Sequence, residues 1–162
     1  MQITFSPIGT IHTPFSSLEG MPIQPSGAKG VEGKILLKPE FEEGLRDIDG
    51  FTHLILLYHF HHSKGYSLLV KPFLDTVQRG LFSTRAPRRP NPIGLSIVRL
   101  VRVKGLTLHL LDVDVLDGTP VLDIKPWVPE FDVRTNARSG WLEETQKKSR
   151  SIKSDNRFIE DE

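Results

Sequence analysis

The chain has no cysteine among its 162 residues. This excludes a disulfide framework and a thiolate metal site, and it is the usage expected of an intracellular protein. Long apolar runs are also missing, and none approaches the ~18 residues of a membrane-spanning helix. The start, MQITFSPIGTI, lacks the basic segment and apolar stretch of a secretory leader, so a cytoplasmic protein is expected. Net charge is only +1. The familiar chemical fingerprints are absent: there is no Walker loop, no H-E-x-x-H and no G-x-S-x-G. Gly27, Gly30 and Gly33 do not have the spacing of a dinucleotide-binding turn.

What remains is a chain that is 38% hydrophobic, enough for one domain with its own core. Its patterning is mostly that of strands. ITFSPIGTI reads as a strand interrupted at Pro7, and PIQPSGAKG as a loop. VEGKILL reads as a strand, followed by a short helix opened by Pro39, with Phe41, Leu45 and Ile48 on one face. FTHLILLYHF is a continuous apolar run expected to be buried on both faces. SIVRLVRV and LTLHLLDVDVL form a hairpin turning at Lys104 and Gly105, and Asp117 and Gly118 mark a further hairpin turn. Many short strands at regular spacing predict a mainly β protein, a barrel or sandwich with a few short helices. The barrel is favoured because it removes sheet edges. The expected domain covers residues 1–135. A polar tail follows over 136–162, with one short helix over GWLEETQKK and a frayed end.

The balanced charge hides a segregation. Between Thr76 and Leu111 lie Arg79, Arg85, Arg88, Arg89, Arg99, Arg102 and Lys104 without one acid, and Asp112, Asp114, Asp117 and Asp123 follow. Arg99, Arg102 and Lys104 read as the solvated face of a strand. The stretch STRAPRRPNPIG is different. Pro87, Pro90 and Pro92 each fix φ and restrict the residue before them, so Arg89 and Asn91 are held extended. An ordinary turn needs one proline. A loop fixed this firmly loses little entropy on binding, and its arginines are aimed at phosphate or carboxylate before a ligand arrives.

Two other segments carry polar groups in unusual density. In YHFHH, strand alternation would point His59 and His61 one way and His62 the other. No third ligand has suitable spacing, so no metal site is expected, and His61 or His62 is better placed to hydrogen-bond a ligand at a strand end. In LDGTPVLDIKPW, Asp123 and Lys125 share one strand face, either as a plain ion pair or as contacts to a ligand amine or hydroxyl.

GLFSTRAPRRPNPIGLSIVRL and DVLDGTPVLDIKPWVPEFD resemble the two signature blocks of the TrmO (TsaA-like) family, and PIGTIHTPF and GFTHLILLYHFH are similar to its remaining blocks. The likeness runs from about Pro7 to Asp132. It implies an S-adenosylmethionine-dependent tRNA methyltransferase acting on N6 of threonylcarbamoyl-adenosine beside the anticodon. It also implies a small non-Rossmann β-barrel and a homodimer with the cofactor near the subunit interface. The early loop reads PIQPSG, without an arginine before the glutamine. The chain is expected to be a short form without a C-terminal domain.

On the resemblance, the cofactor contacts fall at Gln24, Pro25, Ser26, His61, His62, Arg85, Leu95, Pro120, Val121, Leu122 and Asp123. Arg85, Asp117 and Lys125 are the candidate catalytic groups. Asp117 is nominated to accept the N6 proton, and Lys125 to contact tRNA phosphate. Arg88, Arg89, Asn91 and Trp127 are candidate tRNA contacts, the arginines to phosphate and Trp127 to a flipped base. Two alternatives stand beside this reading: a non-catalytic S-adenosylmethionine-binding or RNA-binding barrel, and a hydrolase using the arginine loop as a phosphate clamp. The second lacks a nucleophile–base pair.

Overall fold

A computed structural model of the chain describes residues 1–17, 21–22, 27–72 and 75–143. The strands are β1 (Gly9–His12), β2 (Glu32–Leu37), β3 (His53–His59), β4 (Leu69–Val70), β5 (Arg79–Gly80), β6 (Ile93–Lys104), β7 (Thr107–Leu111) and β8 (Thr119–Pro126). Six of them close an antiparallel barrel in the order β1-β2-β7-β6-β3-β8, and β4 and β5 form a separate ribbon. The expected barrel is therefore the fold. Among the described residues, helical structure is limited to short 3₁₀ segments and one four-residue helix, α1 (Pro129–Asp132).

The barrel closes because the strands alternate. Inward residues Ile11, Ile35, Leu54, Leu56, Val98, Leu108, Leu110 and Val121 are almost wholly buried and fill the interior. The one short helix expected after Pro39 is instead two 3₁₀ segments, Pro39–Leu45 and Ile48–Gly50, so Phe41, Leu45 and Ile48 do not share a helix face; Leu45 and Ile48 pack against the core and Phe41 is exposed. The hairpin between β6 and β7 turns where Lys104 and Gly105 were expected to place it, with Gly105 at φ 53°.

Three further expectations are corrected. The first strand is only Gly9–His12; residues before Pro7 stay outside the sheet, and Ile3 and Phe5 are exposed. β3 is not buried on both faces: Leu54, Leu56 and Tyr58 point inward, and Ile55 and Leu57 lie half-buried on the outer wall. Asp117 and Gly118 do not join a hairpin, because β7 and β8 lie on opposite sides of the barrel. Residues 112–118 instead cross one end of the barrel, burying Val113, Val115 and Leu116 as a plug. Thr13 Oγ1 donates to the Val115 carbonyl at 2.8 Å, and the Gly118 N–H donates to the Ile11 carbonyl at 2.9 Å, which fixes the crossing.

Candidate functional site

The plugged end is where the sequence blocks meet. The C-terminal end of β3, the start of β6 and the start of β8 all open onto it, because β3 runs antiparallel to both neighbours. The proline–arginine loop that leads into β6 is built as a rigid part. Val70, Leu81 and Ala86 form a small apolar cluster beneath it. The Phe60 N–H donates to the Pro92 carbonyl at 2.8 Å, and Ser63 Oγ donates to the Pro87 carbonyl at 3.1 Å. Trp141 Nε1 donates to the Ser83 carbonyl at 2.9 Å, and the Arg79 guanidinium lies 5.4 Å from the Trp141 ring centre. Residues 139–143 are thus packed against the barrel domain, whereas the remainder of the expected tail helix lies outside the described residues.

The arginines of this loop divide by role. Arg89 Nη1 donates to the Thr84 carbonyl at 3.0 Å, and its guanidinium lies 5.8 Å from the Phe82 ring centre, so it braces the loop from within. Arg88 is half-buried. Arg85 is exposed, and its charge is felt by two groups beneath it, Tyr58 and Asp114. Asn91 is exposed at the loop's far side, its carbonyl accepting from the Ile93 N–H.

Beneath Arg85 runs a buried polar chain that the sequence reading missed. Ser96 Oγ donates to Asp114 Oδ1 at 2.6 Å, and the Tyr58 hydroxyl lies 3.0 Å from Ser96 Oγ. Burial raises the Asp114 carboxyl to about 6, partly offset by the Ser96 hydrogen bond and the Arg85 charge. Burial, with the Asp114 charge, also keeps the Tyr58 phenol neutral by raising it. Gly94 is required here, since a side chain on it would occupy the Tyr58 ring. The signal for this chain was present in β6: Ser96 is a hydroxyl among inward positions that are otherwise Gly94, Val98 and Leu100.

His61 and His62 follow β3 in a turn rather than continuing its alternation, and their ring centres lie 4.2 Å apart. His61 Nδ1 lies 3.5 Å from Thr119 Oγ1. Its pKa is lowered by burial and by its His62 neighbour, which favours a neutral, hydrogen-bonding imidazole. Asp117, also at this end, accepts from the Thr13 N–H at 3.1 Å and pairs with His12 at 3.2 Å; these hydrogen bonds hold its carboxyl below the usual range.

β8 carries a bulge. Leu57 faces Asp123 and Tyr58 faces Val121, so Leu122 has no register partner on β3, and none on β1. Leu95, Leu57 and Asp123 then form one row across the outer wall of β6, β3 and β8. Pro120 and Leu122 are half-buried beside it. The Val121 side chain is wholly buried in the core and so is withdrawn from any ligand. Asp123 Oδ2 pairs with Lys125 Nζ at 2.6 Å along the same strand. Trp127 is not at this end. It follows β8, its ring centre 5.9 Å from that of His53, roughly 25 Å of strand from Thr119. Gln24, Pro25 and Ser26 lie outside the described residues.

Comparison with known proteins gives the same assignment. The family model for the tRNA-methyltransferase O N-terminal domain matches residues 10–133. A probable S-adenosyl-L-methionine-binding protein of Pyrococcus abyssi is 55% identical over 159 residues, covering 98% of this chain and 86% of the relative. The human tRNA (adenine(37)-N6)-methyltransferase is 37% identical over 139 residues, which is 80% of this chain but 31% of the human protein. The crystal structure of TrmO from Pseudomonas aeruginosa superposes with a TM-score of 0.74 at 39% identity, covering 87% of this chain and 63% of that one.

Proposed function

The chain belongs to the TrmO family of S-adenosylmethionine-dependent tRNA methyltransferases, and from that premise we propose that it methylates N6 of threonylcarbamoyl-adenosine beside the anticodon of tRNA. On this reading it works in the cytoplasm as a homodimer. The observation that carries the reading is the convergence of a braced arginine loop, a histidine turn and a bulged strand at one barrel end.

The residues present fit the cofactor. The apolar row of Leu57 and Leu95 matches a largely apolar nucleoside face, and the bulge at Leu122 offers backbone beside it for adenine. Asp123 suits an ammonium or ribose, and Arg85 suits a carboxylate, either of the cofactor or of the threonyl group. When bound, S-adenosylmethionine supplies an electrophilic methyl group on a sulfonium. The protein's task is then alignment and removal of the N6 proton. Two carboxylates at this end differ in basicity. Asp117, held low by its hydrogen bonds, is a weak base. Asp114, raised to about 6 by burial, is matched to proton transfer near neutral pH, with Ser96 and Tyr58 holding it. Pro120, His61 and His62 frame the site's rim. Lys125, paired with Asp123, tunes the charge that Asp123 presents.

The apolar outer wall supports the dimer. Ile93, Leu95 and Ile97 are 38%, 45% and 39% exposed, and with Ile55 and Leu57 they make one patch on neighbouring strands. Such a patch marks an interaction site, and a second copy covering it would place the Leu95 row at the interface.

A second reading, an S-adenosylmethionine-binding barrel without transferase activity, is favoured by archaeal relatives that are named only as S-adenosyl-L-methionine-binding proteins. One assay separates them: transfer of a labelled methyl group from S-adenosylmethionine to tRNA with and without the threonylcarbamoyl group. Incorporation dependent on that group supports the proposal. Cofactor binding without incorporation leaves the binding barrel.

A further inference from the structure

The outer wall that starts from the far end of β6 has a different chemistry from the apolar patch. Across four neighbouring strands the outward residues His12, Lys34, His109 and Arg102 are successive register partners. The next row, Leu36, Thr107 and Lys104, adds another cation. Lys34, Arg102 and Lys104 are exposed, and among the described residues none of them meets a carboxylate at ion-pair distance. The nearest acids are engaged or displaced: Asp117 with His12, Asp112 with Arg99, and Glu32 in the row nearer the plugged end. His12, Lys34, Leu36 and Thr107 line an open hollow of about 210 Å³ within the rows.

Lys34, Arg102 and Lys104 share one sheet face with no acid among their register partners, so the wall presents a local positive field rather than alternating signs. Every polar group of the two rows can donate: two imidazoles, two ammonium groups, one guanidinium and one hydroxyl. With strands ~4.8 Å apart, the first row spans about 14 Å, enough for several successive phosphates of one RNA strand. The wall also lies across the barrel from β3, since β2 and β3 are three strands apart in the closed order. Its β2 and β7 part therefore stays open when the apolar patch is covered.

We propose that the β1-β2-β7-β6 wall, through Lys34, Arg102 and Lys104 with His12, His109 and Thr107, is an RNA-phosphate-binding surface that grips the stem of the tRNA whose loop enters the plugged end. Arg102 and Lys104 are solvated on β6 as expected, and on this proposal that exposure serves RNA. The assignment of tRNA as the RNA rests on the proposed function. The contact is to the sugar–phosphate backbone and so adds affinity and salt dependence without sequence choice.

The test uses the full chain and a tRNA transcript, with binding followed by fluorescence anisotropy between 50 and 200 mM salt. The variants are the triple Lys34→Ala, Arg102→Ala, Lys104→Ala and, as a charge-keeping control, Arg102→Lys. The triple variant is expected to lose at least tenfold in affinity. Its log–log salt slope should fall by roughly 2–3, since each phosphate contact contributes about 0.7–0.9. Arg102→Lys should keep most of the slope, and S-adenosylmethionine binding by calorimetry should be unchanged in both. An unchanged slope in the triple variant overturns the proposal, even if wild-type protein methylates tRNA. Wild-type tRNA binding that the triple variant loses, without any methyl transfer, upholds the wall and sinks the catalytic reading instead. Binding to anionic phospholipid vesicles that the triple variant loses, while tRNA affinity holds, reassigns the wall to a lipid surface.

Discussion

The two outer walls of the barrel share a strand and little else. The N-terminal half of β6 presents Ile93, Leu95 and Ile97, and its C-terminal half presents Arg102 and Lys104. Between them the register shifts around Val101, where β6 is irregular against β7. A bulge increases local twist and bends a strand, so one 12-residue strand serves two walls with opposite chemistry. Inside, the contrast vanishes: Val98 and Leu100 continue one apolar core. The closed barrel holds the interior constant and leaves the exterior free to specialise wall by wall.

That comparison sets the predictions. If the interior is common, truncating it under either wall should cost alike. Leu56→Ala beneath the apolar wall and Leu108→Ala beneath the basic wall should each lose about 2–5 kcal/mol in denaturant unfolding, since both side chains are wholly buried. A large difference between them would show that the walls are not carried by one core.

Breaking the apolar wall should affect assembly rather than folding. Leu95→Asp places a charge on an exposed position of the patch, so the monomer fold should survive. The proposed dimer should weaken at least a hundredfold, about 2.7 kcal/mol, in sedimentation equilibrium. Wild-type protein that is monomeric at high concentration would remove the dimer from the account.

The buried carboxyl between the walls gives a pH signature. Asp114 has a folded pKa of about 6, above its unfolded 3.8, so the folded state binds the proton more tightly. Its burial thus costs nothing below pH 4, and stability falls as pH rises from about 4 to 6, by on the order of 2–3 kcal/mol for a two-unit shift. Asp114→Asn should flatten that fall, and in the methyl transfer assay it should remove a rise in activity centred near pH 6. A variant that keeps the activity profile would show that Asp114 is structural only.

The smallest effect is expected at Lys125. Its ion pair with Asp123 is more than 40% exposed on both sides. Lys125→Ala should change stability by less than about 1 kcal/mol. If it lowers cofactor affinity, Lys125 acts through Asp123 on the bound ligand.

Much of this was legible in the sequence, for physical reasons that can be named. The barrel followed from strand periodicity and the lack of helix signals, and the loop's stiffness from Pro87, Pro90 and Pro92. The apolar run in β3 was read as burial on both faces. Only Leu54, Leu56 and Tyr58 face the core, and Ile55 and Leu57 lie half-buried on the outer wall, which an unbroken apolar run does not distinguish. Asp114 was missed because its carboxylate, one of a row of acids after β7, looks like surface until the crossing segment carries it under Arg85. Charge and rigidity mark Arg89 as a tRNA contact but do not reveal that its Nη1 turns back to the Thr84 and Ala86 carbonyls. The basic wall was invisible for a related reason. Its members lie on four strands, and only the register brings Lys34, His109 and Arg102 side by side.

The central claim is that the braced loop aims Arg85 at a cofactor held at the plugged end. Calorimetry of S-adenosylmethionine binding to wild type and Arg85→Ala tests it most directly. The account predicts micromolar binding that Arg85→Ala weakens at least tenfold, about 1.4 kcal/mol. Equal affinity in the two proteins, or no binding at millimolar cofactor, would contradict it.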